Sequence, residues 1–353
     1  MNRSEKIIGI LLEGTVIPAI PLALDSNRKF NEKRQRVLIK YYLAAGVGGV
    51  AVAVHTTQFA IRDPKIALFE PVLKVIKEEI DAYEKETDKT IVRVAGVCGP
   101  VEQAVNEAKL AKNLGFDAVL LSPGGLKDYT EDQIIDRTKD VATIIPVIGF
   151  YLQPSVGGRL FSFNYWQRLC EIDNVIALKS APFNRYQTLD LVRAAAMSSR
   201  ADKIALYTGN DDNIVIDLLT KYKFTENGKI YEKRFVGGLL GHWAVWTNTV
   251  VKLYEQIKEA STKEYIPANL LTLASEVTDA NAAIFDTVNN FKGCIPGIHE
   301  VLRRQGIMKG IWCLDKDEKL SVSQVEEIDR VYRMYPHLND DTFVSENLLR
   351  WLK

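Results

Sequence analysis

The sequence predicts a (β/α)₈ barrel, the TIM-barrel fold class, followed by a C-terminal helical extension. Short apolar segments recur along the first two thirds of the chain, helical patterns separate them, and eight such units fit into that stretch. Strands that are apolar on both faces and alternate with helices form parallel βαβ units. Eight units of this kind match a closed barrel better than an open sheet.

Each apolar segment is a predicted strand, and each stretch between them has apolar residues at the three- and four-residue spacing of a helix. Two of these helices end near Gly46 and Gly115, as expected of a helix C-cap. An open doubly wound sheet is the alternative, but its dinucleotide-binding form needs a GxGxxG turn, and PLALDSN after the first strand has no such glycines. The predicted strands are 16–24, 48–54, 91–97, 117–122, 145–151, 174–180, 203–209 and 234–241.

Beyond the last strand the pattern becomes mostly helical. The candidate helices are 243–262, 267–290, 297–308 and 321–334, with GCIPG (293–297) as a break between two of them. No linker rich in Gly, Ser or Pro precedes this region. We therefore predict a barrel core over residues 1–242 and a C-terminal helical region, 243–353, packed on the barrel.

Composition argues against several classes of protein. The 45 Lys and Arg residues balance the 45 Asp and Glu residues, so there is no basic excess for a nucleic-acid partner. The 4 cysteines form no CxxC pair, which argues against a zinc site or a disulfide framework. The N-terminal run IIGILL is interrupted by Glu13 and Gly14, and no uncharged apolar run reaches the roughly 18 residues of a membrane span. The sequence predicts a cytoplasmic protein without a membrane partner.

Barrel enzymes carry their active sites at the C-terminal ends of the strands, and Lys179 is the most informative residue at such an end. It follows the apolar run NVIAL and, by alternation along a strand, shares a face with Ala177 and Val175. An ammonium in apolar surroundings has a lowered pKa, which yields the neutral amine that attacks a carbonyl. The alternative is a lysine that pairs with a carboxylate at the barrel rim.

Other strand ends give weaker signals. Tyr151 ends the preceding strand, where a phenol can relay protons to an imine or simply close the top of the barrel. Thr56 and Thr57 follow another strand and have hydroxyls that can bind a carboxylate, although two threonines alone mean little. His55 beside them has no assigned role, and His242 is either an acid or base of the pocket or a structural histidine.

Taken together, these segments resemble the dihydrodipicolinate synthase/N-acetylneuraminate lyase family of class I aldolases. The resemblance runs from about residue 15 to 300. AAGVGGVAVAVHTTQFA is similar to the family segment that ends in GTTGE, FYLQPSVGG to its YNxPxxxG stretch, and NVIALKSA to its lysine strand. PAIPLALDSNRKF resembles the first strand and loop, and the region 92–123 resembles the third and fourth strands.

The resemblance implies roles for individual residues. Lys179 falls on the lysine that forms the imine, Tyr151 on the tyrosine that relays protons, and Thr56 and Thr57 on the pair that holds the keto acid carboxylate, with Thr57 assisting proton relay. The loop Thr208–Asp212 resembles the glycine-containing loop that shapes the distal substrate pocket, which implies substrate contacts by Gly209 and Asn210, with His242 added from the next strand end. Asp211 or Asp212 can accept bonds from substrate hydroxyls, but a helix N-cap explains them equally well.

The departures from the family pattern concern the second half of the substrate. His55 replaces the first glycine of GTTGE, and Gln58 and Phe59 follow the threonines instead of its glycine and glutamate. The second tyrosine motif is replaced by PGG (123–125), and the arginine of true dihydrodipicolinate synthases aligns with Val156, with Arg159 three residues on. FYLQP also carries one extra residue before the tyrosine, which suggests a bulge.

The resulting prediction is a Schiff-base lyase that cleaves, condenses or dehydrates pyruvate or a 2-keto-3-deoxy sugar acid. It needs no metal and no organic cofactor, and the family resemblance implies a homo-oligomer, a dimer or a tetramer. Because the family's glutamate, second tyrosine and arginine are missing, a true dihydrodipicolinate synthase is the weaker interpretation. They also leave open a repurposed barrel that binds a keto acid or a protein partner, since a fold alone guarantees no chemistry. A metal-dependent aldolase is a distant third.

Overall fold

The computed structural model describes residues 2–353 and contains ten strands and thirteen helices in that range. The strands are β1 (Val16–Pro18), β2 (Gly49–Val52), β3 (Val92–Val97), β4 (Ala118–Leu121), β5 (Val147–Leu152), β6 (Val175–Ala181), β7 (Ala205–Thr208), β8 (Tyr222–Glu226), β9 (Lys229–Lys233) and β10 (Phe235–Leu240). The helices are α1 (Arg3–Glu13), α2 (Glu32–Ala45), α3 (Phe69–Thr87), α4 (Val101–Asn113), α5 (Glu131–Ala142), α6 (Phe163–Cys170), α7 (Arg185–Met197), α8 (Ile214–Leu219), α9 (Thr247–Ser261), α10 (Asn269–Ile284), α11 (Cys294–Arg304), α12 (Gln324–Met334) and α13 (Asp341–Trp351).

Eight parallel strands form the barrel, and each matches one of the eight predicted segments. Their order is β1-β10-β7-β6-β5-β4-β3-β2, and every neighbouring pair is parallel. A parallel bridge between Ala19 and Ala51 joins the two ends, with the Ile20 amide donating to the Ala51 carbonyl at 2.8 Å. The predicted fold class is confirmed.

The apolar residues of the strands serve two separate cores. One core lies between the barrel and the surrounding helices, and the other fills the inside of the barrel. On β5, Ile148, Phe150 and Leu152 belong to the inner core, whereas Val147 and Tyr151 belong to the outer core. This alternation with a period of two decides which side chains of each strand reach the barrel interior.

Helix α1 closes the N-terminal end of the barrel. Ile7 and Leu11 pack into the inner core, and the Tyr207 hydroxyl donates to the Leu11 carbonyl at 3.1 Å. Arg3 bonds to Asp117, directly before β4, which fixes α1 at this end of the barrel. The apolar run IIGILL is therefore a plug, and the opposite end of the barrel is left for a site.

The short antiparallel hairpin β8–β9 precedes the last barrel strand and lies outside the predicted elements. Its turn is Asn227-Gly228, and both residues have positive φ, 49° and 76°. Asn-Gly is the pair that a tight two-residue hairpin turn prefers. The hairpin strands are half-buried or exposed, and only Tyr222 and Phe224 pack against the edge of the outer core.

The C-terminal helices pack on the barrel, as the lack of a linker before them predicts. Helix α9 packs on α8, α2 and β1, α10 packs on α8, and α13 packs on α2. The expected helix break at 293–297 is wrong in its position, because α10 ends at Ile284 and α11 begins at Cys294. Pro296 fits the first turn of α11, where backbone amides lack helical partners in any case. The division of the chain at residue 242 stays a prediction.

The length and hydropathy of the helices show whether any of them could span a membrane. Within residues 2–353, no helix combines the length and the apolar character needed to cross a bilayer.

Candidate active site

A partly enclosed cavity of about 70 Å³ lies at the C-terminal mouth of the barrel. Its floor and walls come from the ends of the first, second, fifth, sixth, seventh and last barrel strands, and its roof comes from the segment between α10 and α11. The side chains that matter for chemistry are Lys179, Asp211, His55 and Thr56. Most of the remaining lining is apolar, with Phe150 and Phe183 prominent.

Lys179 points into this cavity from β6. Against β5, Val147 pairs with Val175 and Ile148 pairs with Ala177, so Ile176 is an extra residue on β6. The bulge turns Val175 to the outer core, and the expectation that Val175 shares a face with Lys179 is wrong. Ala177 remains on the inner face, so a small side chain precedes the lysine on this face of β6.

Burial controls the charge of this lysine. Lys179 is only 8% exposed, and burial lowers the pKa of its ammonium to about 8, although the Asp211 carboxylate opposes the shift. The Nζ atom lies 4.5 Å from the centre of the Phe150 ring. No ion pair of 4.0 Å or less involves Lys179 anywhere in the described range. The alternative of a rim lysine paired with a carboxylate is therefore not what the structure shows.

The lack of a side chain at Gly209 leaves space for the Lys179 side chain. A Cβ atom at this position would lie 2.5 Å from the Lys179 Cε atom and 2.8 Å from the Ala181 Cβ atom. Only glycine leaves room for the lysine stem; Gly209 lines the cavity, and its contact with substrate stays a prediction.

Tyr151 does not reach the cavity. Its ring is 1% exposed and lies in the outer core, 4.8 Å from the Trp166 ring and 5.9 Å from the Phe161 ring. The expectation that Tyr151 faces Lys179 is wrong because Phe150, one residue earlier, takes the inner position on β5. The strand is regular here, so the neighbouring residues face opposite sides.

The threonine pair is buried beside the cavity on a short turn, His55–Thr57, after β2. Thr56 lines the cavity, but Thr57 does not. Both hydroxyls donate to the Ile20 carbonyl, at 3.2 Å from Thr56 and 2.7 Å from Thr57. A hydroxyl has one proton to donate, so in this arrangement each threonine offers lone pairs rather than a donor.

Asp211 is the residue that the sequence reasoning underrated. Its carboxylate lines the cavity and accepts a hydrogen bond from the His242 backbone amide at 2.9 Å. Burial raises the pKa of this carboxyl to about 7, against the opposing effects of that amide and of the Lys179 charge. The signal for it was the loop TGNDD at the end of a barrel strand, which is equally typical of a helix cap.

Asn210 and His242 support the site from behind rather than lining it. The Asn210 side chain bonds to Asp217 at 2.9 Å and to Thr188 at 3.3 Å, and it accepts from the Phe183 amide at 3.1 Å. The His242 ring lies against Trp246, and burial lowers its pKa to about 4. The expected substrate contacts of these two side chains are absent from the cavity lining, and the amide of His242 acts on Asp211 instead.

His55 does face the cavity. Burial, together with the nearby Lys179 charge, lowers the pKa of its imidazole to about 4. The ring is therefore neutral at neutral pH, and it places a polar but uncharged group in the wall.

The cavity roof consists of Phe285, Phe291 and Cys294 from the C-terminal region. The rings of Phe183 and Phe291 meet edge to face at 5.7 Å, which ties the roof to the barrel. The Asp286 carboxylate holds the segment by accepting from the Gly293 amide at 2.9 Å and from the Ser321 hydroxyl. The C-terminal region thus closes the site, which the sequence pattern did not reveal.

Arg159 lies outside the cavity. Its guanidinium donates to the Leu126 carbonyl at 3.3 Å and to the Tyr129 carbonyl, and it covers the Phe161 ring. It does not take the place of the family's arginine, which aligns with Val156, because Val156 lines the cavity and Arg159 does not. Among the described residues, no group of three or more His, Cys, Asp or Glu side chains is arranged to hold a metal ion.

Comparison with known proteins gives the same picture of the fold. A 4-hydroxy-tetrahydrodipicolinate synthase from Clostridium novyi is 28% identical over 190 residues, which are 53% of this chain and 59% of that protein. The match thus spans about three fifths of the relative's length. Dihydrodipicolinate synthase from Oceanobacillus iheyensis has the same fold with a TM-score of 0.74 at 15% identity, covering 95% of this chain and 99% of that one.

An N-acetylneuraminate lyase from Fusobacterium nucleatum, in a complex with pyruvate, is similar in fold as well. Its TM-score is 0.68 at 16% identity, over 92% of this chain and 98% of that one. At the level of sequence, the family model for the dihydrodipicolinate synthetase family matches residues 13–221, which include every strand that builds the cavity wall up to β7. The chain belongs to the dihydrodipicolinate synthetase family.

Proposed function

We propose that this protein is a class I lyase that binds a small 2-oxo acid, such as pyruvate, as an imine of Lys179. The observation that carries the proposal is a buried lysine, with a pKa lowered to about 8, inside a partly enclosed cavity at the barrel mouth. The neutral amine is the nucleophile, and with this pKa roughly a tenth of the lysine is neutral at pH 7. A fully solvated lysine would be almost entirely charged.

The chemistry follows from the amine. Lys179 Nζ attacks the keto carbon C2, the C–N bond forms, and loss of water leaves a protonated imine. When a base takes the proton of the C4 hydroxyl, the bond between C3 and C4 breaks and its electron pair passes to this cation, which gives an enamine and an aldehyde; condensation is the reverse. Dehydration of a 3-deoxy acid uses the same electron sink. The protein supplies burial and orientation, and no metal or organic cofactor enters these steps.

Cavity size supports a small substrate. A buried water needs roughly 10–15 Å³ of free space, so a cavity of about 70 Å³ has room for only a few groups of that size. That volume suits a 2-oxo acid of three or four carbons. A 2-keto-3-deoxy sugar acid is longer and enters only if the roof of the cavity moves. The structural relative from Fusobacterium nucleatum is a complex with pyruvate, a molecule of the same class.

The apolar lining argues against a polar second substrate. Val156 lies where the family's arginine is expected, and Arg159 is occupied by backbone carbonyls. Phe183, Phe285 and Phe291 surround the distal part of the cavity. We therefore disfavour dihydrodipicolinate synthesis, whose second substrate carries a carboxylate.

A binding barrel without turnover is the second candidate. The observations that favour it are the absence of a tyrosine from the cavity lining and the commitment of both threonine hydroxyls to Ile20. Such a protein binds a keto acid in the cavity without cleaving it.

Borohydride trapping tests the proposal. We expect incubation with pyruvate and borohydride to give a reduced adduct on Lys179, located by peptide mass spectrometry, and none in Lys179→Ala. Lys229→Ala, on the exposed hairpin, is the matched control and should label as the parent does. If no 2-oxo acid labels the parent protein, the imine proposal is wrong. An adduct without release of aldehyde from any 3-deoxy acid selects the binding barrel.

A homo-oligomer and a cytoplasmic location stay predictions. Light scattering of the purified chain measures the first directly.

A further inference from the structure

We infer that Asp211, and not a tyrosine, is the catalytic residue that moves the C3 proton of the bound keto acid. This inference rests on the proposed imine with Lys179. It assigns the second half of the proton chemistry to the loop after β7, on the far side of the lysine from β5.

The cavity lining leaves few candidates for proton transfer. No tyrosine is among the residues that line it, since Phe150 occupies the inner position on β5 and the Tyr151 ring lies in the outer core. The titratable side chains that face Lys179 are His55, Asp211 and Cys294. Thr56 also lines the cavity, but its hydroxyl proton is bonded to the Ile20 carbonyl.

The three titratable candidates differ in the charge that each carries before and after it accepts a proton. A base that removes a proton from the iminium of Lys179 acts next to a positive charge. If neutral His55 takes the proton, the enamine is neutral and the positive charge moves to a buried imidazole, which burial makes a weak base with a pKa of about 4. Cys294 is held as a thiol because burial raises its pKa well above the ordinary value. A carboxylate at Asp211 instead neutralises the iminium when it accepts the proton, and both charges vanish together.

The geometry around Asp211 fits this task. One carboxylate oxygen accepts from the His242 amide at 2.9 Å, and no hydrogen bond to the other is found in the described range. The loop is fixed from behind by the Asn210 side chain, which bonds to Asp217 and Thr188. Asp211 and Lys179 line the same cavity, and the described residues include no ion pair of 4.0 Å or less between them.

The step is a proton transfer that balances without a co-reactant. The Asp211 carboxylate removes a proton from C3 of the iminium. The electron pair of the C–H bond forms the C2–C3 double bond, and the pair of the C–N double bond returns to the Lys179 nitrogen. The products are a neutral enamine and a neutral carboxylic acid. In the reverse direction protonated Asp211 returns the proton to C3, and burial raises the pKa of this group to about 7, so both forms are populated near neutral pH.

Exchange of the pyruvate methyl protons with D₂O, followed by proton NMR, reports this step, and borohydride trapping reports the imine formation that precedes it. We expect the parent protein, Tyr151→Phe and Asp212→Asn to exchange at similar rates, because neither Tyr151 nor Asp212 lines the cavity. We expect Asp211→Asn to lose exchange by a factor of about 100 or more while borohydride trapping on Lys179 persists. The amide of asparagine keeps an oxygen for the His242 amide, so the fold has no reason to change.

The outcomes separate this inference from the proposed function. If the parent does not trap pyruvate, the imine is wrong, whatever Asp211 does. If the parent traps pyruvate and Asp211→Asn exchanges at the parental rate, or if Tyr151→Phe loses exchange, the assignment to Asp211 is wrong. Loss of both trapping and exchange in a folded Asp211→Asn assigns the residue to imine formation instead and overturns the inference. Should Asp211→Asn not fold, Asp211→Glu must retain exchange with a shifted pH profile, and complete loss in that variant also overturns it.

Discussion

The Nζ atom of Lys179 lies 4.5 Å from the centre of the Phe150 ring. The ring therefore occupies the wall at which the family resemblance places a phenol. Its quadrupole favours the charged lysine, whereas burial favours the neutral amine. Burial is the larger influence, since the lysine pKa is lowered to about 8. The residues around Lys179 thus supply a nucleophile but no phenolic acid or base.

Imine formation should follow the titration of Lys179. Since the neutral amine attacks, the trapping rate with pyruvate should rise with pH and level off above about 8. The Asp211 charge raises the lysine pKa, so Asp211→Asn should move this rise to lower pH. His55 and Cys294 line the cavity together with Lys179 and Asp211, and Asp212 is the neighbour of Asp211 in sequence. Variants at these three positions show whether the rise in trapping rate belongs to Lys179. Initial rates of cyanoborohydride trapping across the neutral and alkaline range measure it. A rise only near the ordinary lysine pKa of about 10.4 would mean that the amine is solvated.

Gly209→Ala should displace the catalytic lysine. The new Cβ atom would lie 2.5 Å from the Lys179 Cε atom, and side chains shifted by about 1 Å commonly cost roughly 100-fold in rate. We expect a loss of trapping of about that size with the circular dichroism spectrum unchanged. Gly9→Ala is the control, since nothing lies within 4 Å of its Cβ position on α1. Equal trapping rates in the two variants would show that the lysine stem tolerates the methyl group.

Sequence reasoning predicted the barrel because the apolar pattern of eight buried strands is continuous and hard to misread. It identified Lys179 for the same reason, since a lysine after four apolar residues stands out. Tyr151 was misplaced because a one-residue difference in register reverses the face of a strand, and the pattern around Phe150 and Tyr151 is apolar on both sides. Periodicity cannot distinguish the two faces of such a strand.

The remaining misses have local physical causes. The hairpin β8–β9 lacks a buried face, so its only signal was the turn pair Asn227-Gly228. The roof over the cavity depends on contacts between distant segments, such as Phe183 with Phe291, which no local pattern encodes. Asp211 looked like a helix cap, and only its burial beside Lys179 reveals the other role.

Removal of the roof ring should widen the substrate range. Phe291 is half-buried and packs on Phe183, so Phe291→Ala should open the distal part of the cavity. The cost in the free energy of unfolding should stay below the about 3–5 kcal/mol typical of a fully buried phenylalanine. Competitive trapping of pyruvate against 2-oxohexanoate measures the change, and we expect the longer acid to gain. Val288→Ala, 87% exposed in the same segment, should leave the preference unchanged. An unaltered preference in Phe291→Ala would mean that the roof does not limit substrate length.

Asp217 should be the most sensitive position for stability near the site. Its buried carboxylate accepts from Thr208 at 2.7 Å, from Asn210 at 2.9 Å and from Tyr222 at 3.1 Å, and it pairs with Arg185. Asp217→Ala leaves these donors without an acceptor, which should lower the free energy of unfolding by about 3–5 kcal/mol. Because Asn210 holds the loop that carries Asp211, methyl-proton exchange of pyruvate should fall more than trapping on Lys179.

Urea unfolding and the two pyruvate assays measure these effects on the same samples. Asp190→Ala is the matched control, because its pair with Arg193 is solvent-exposed and such pairs contribute about 0–1 kcal/mol. If Asp217→Ala lowers trapping and exchange by the same factor, the loss reflects the folded fraction alone. If exchange falls further than trapping in the folded fraction, the hydrogen-bonded network behind β7 positions the carboxylate of Asp211 independently of the lysine.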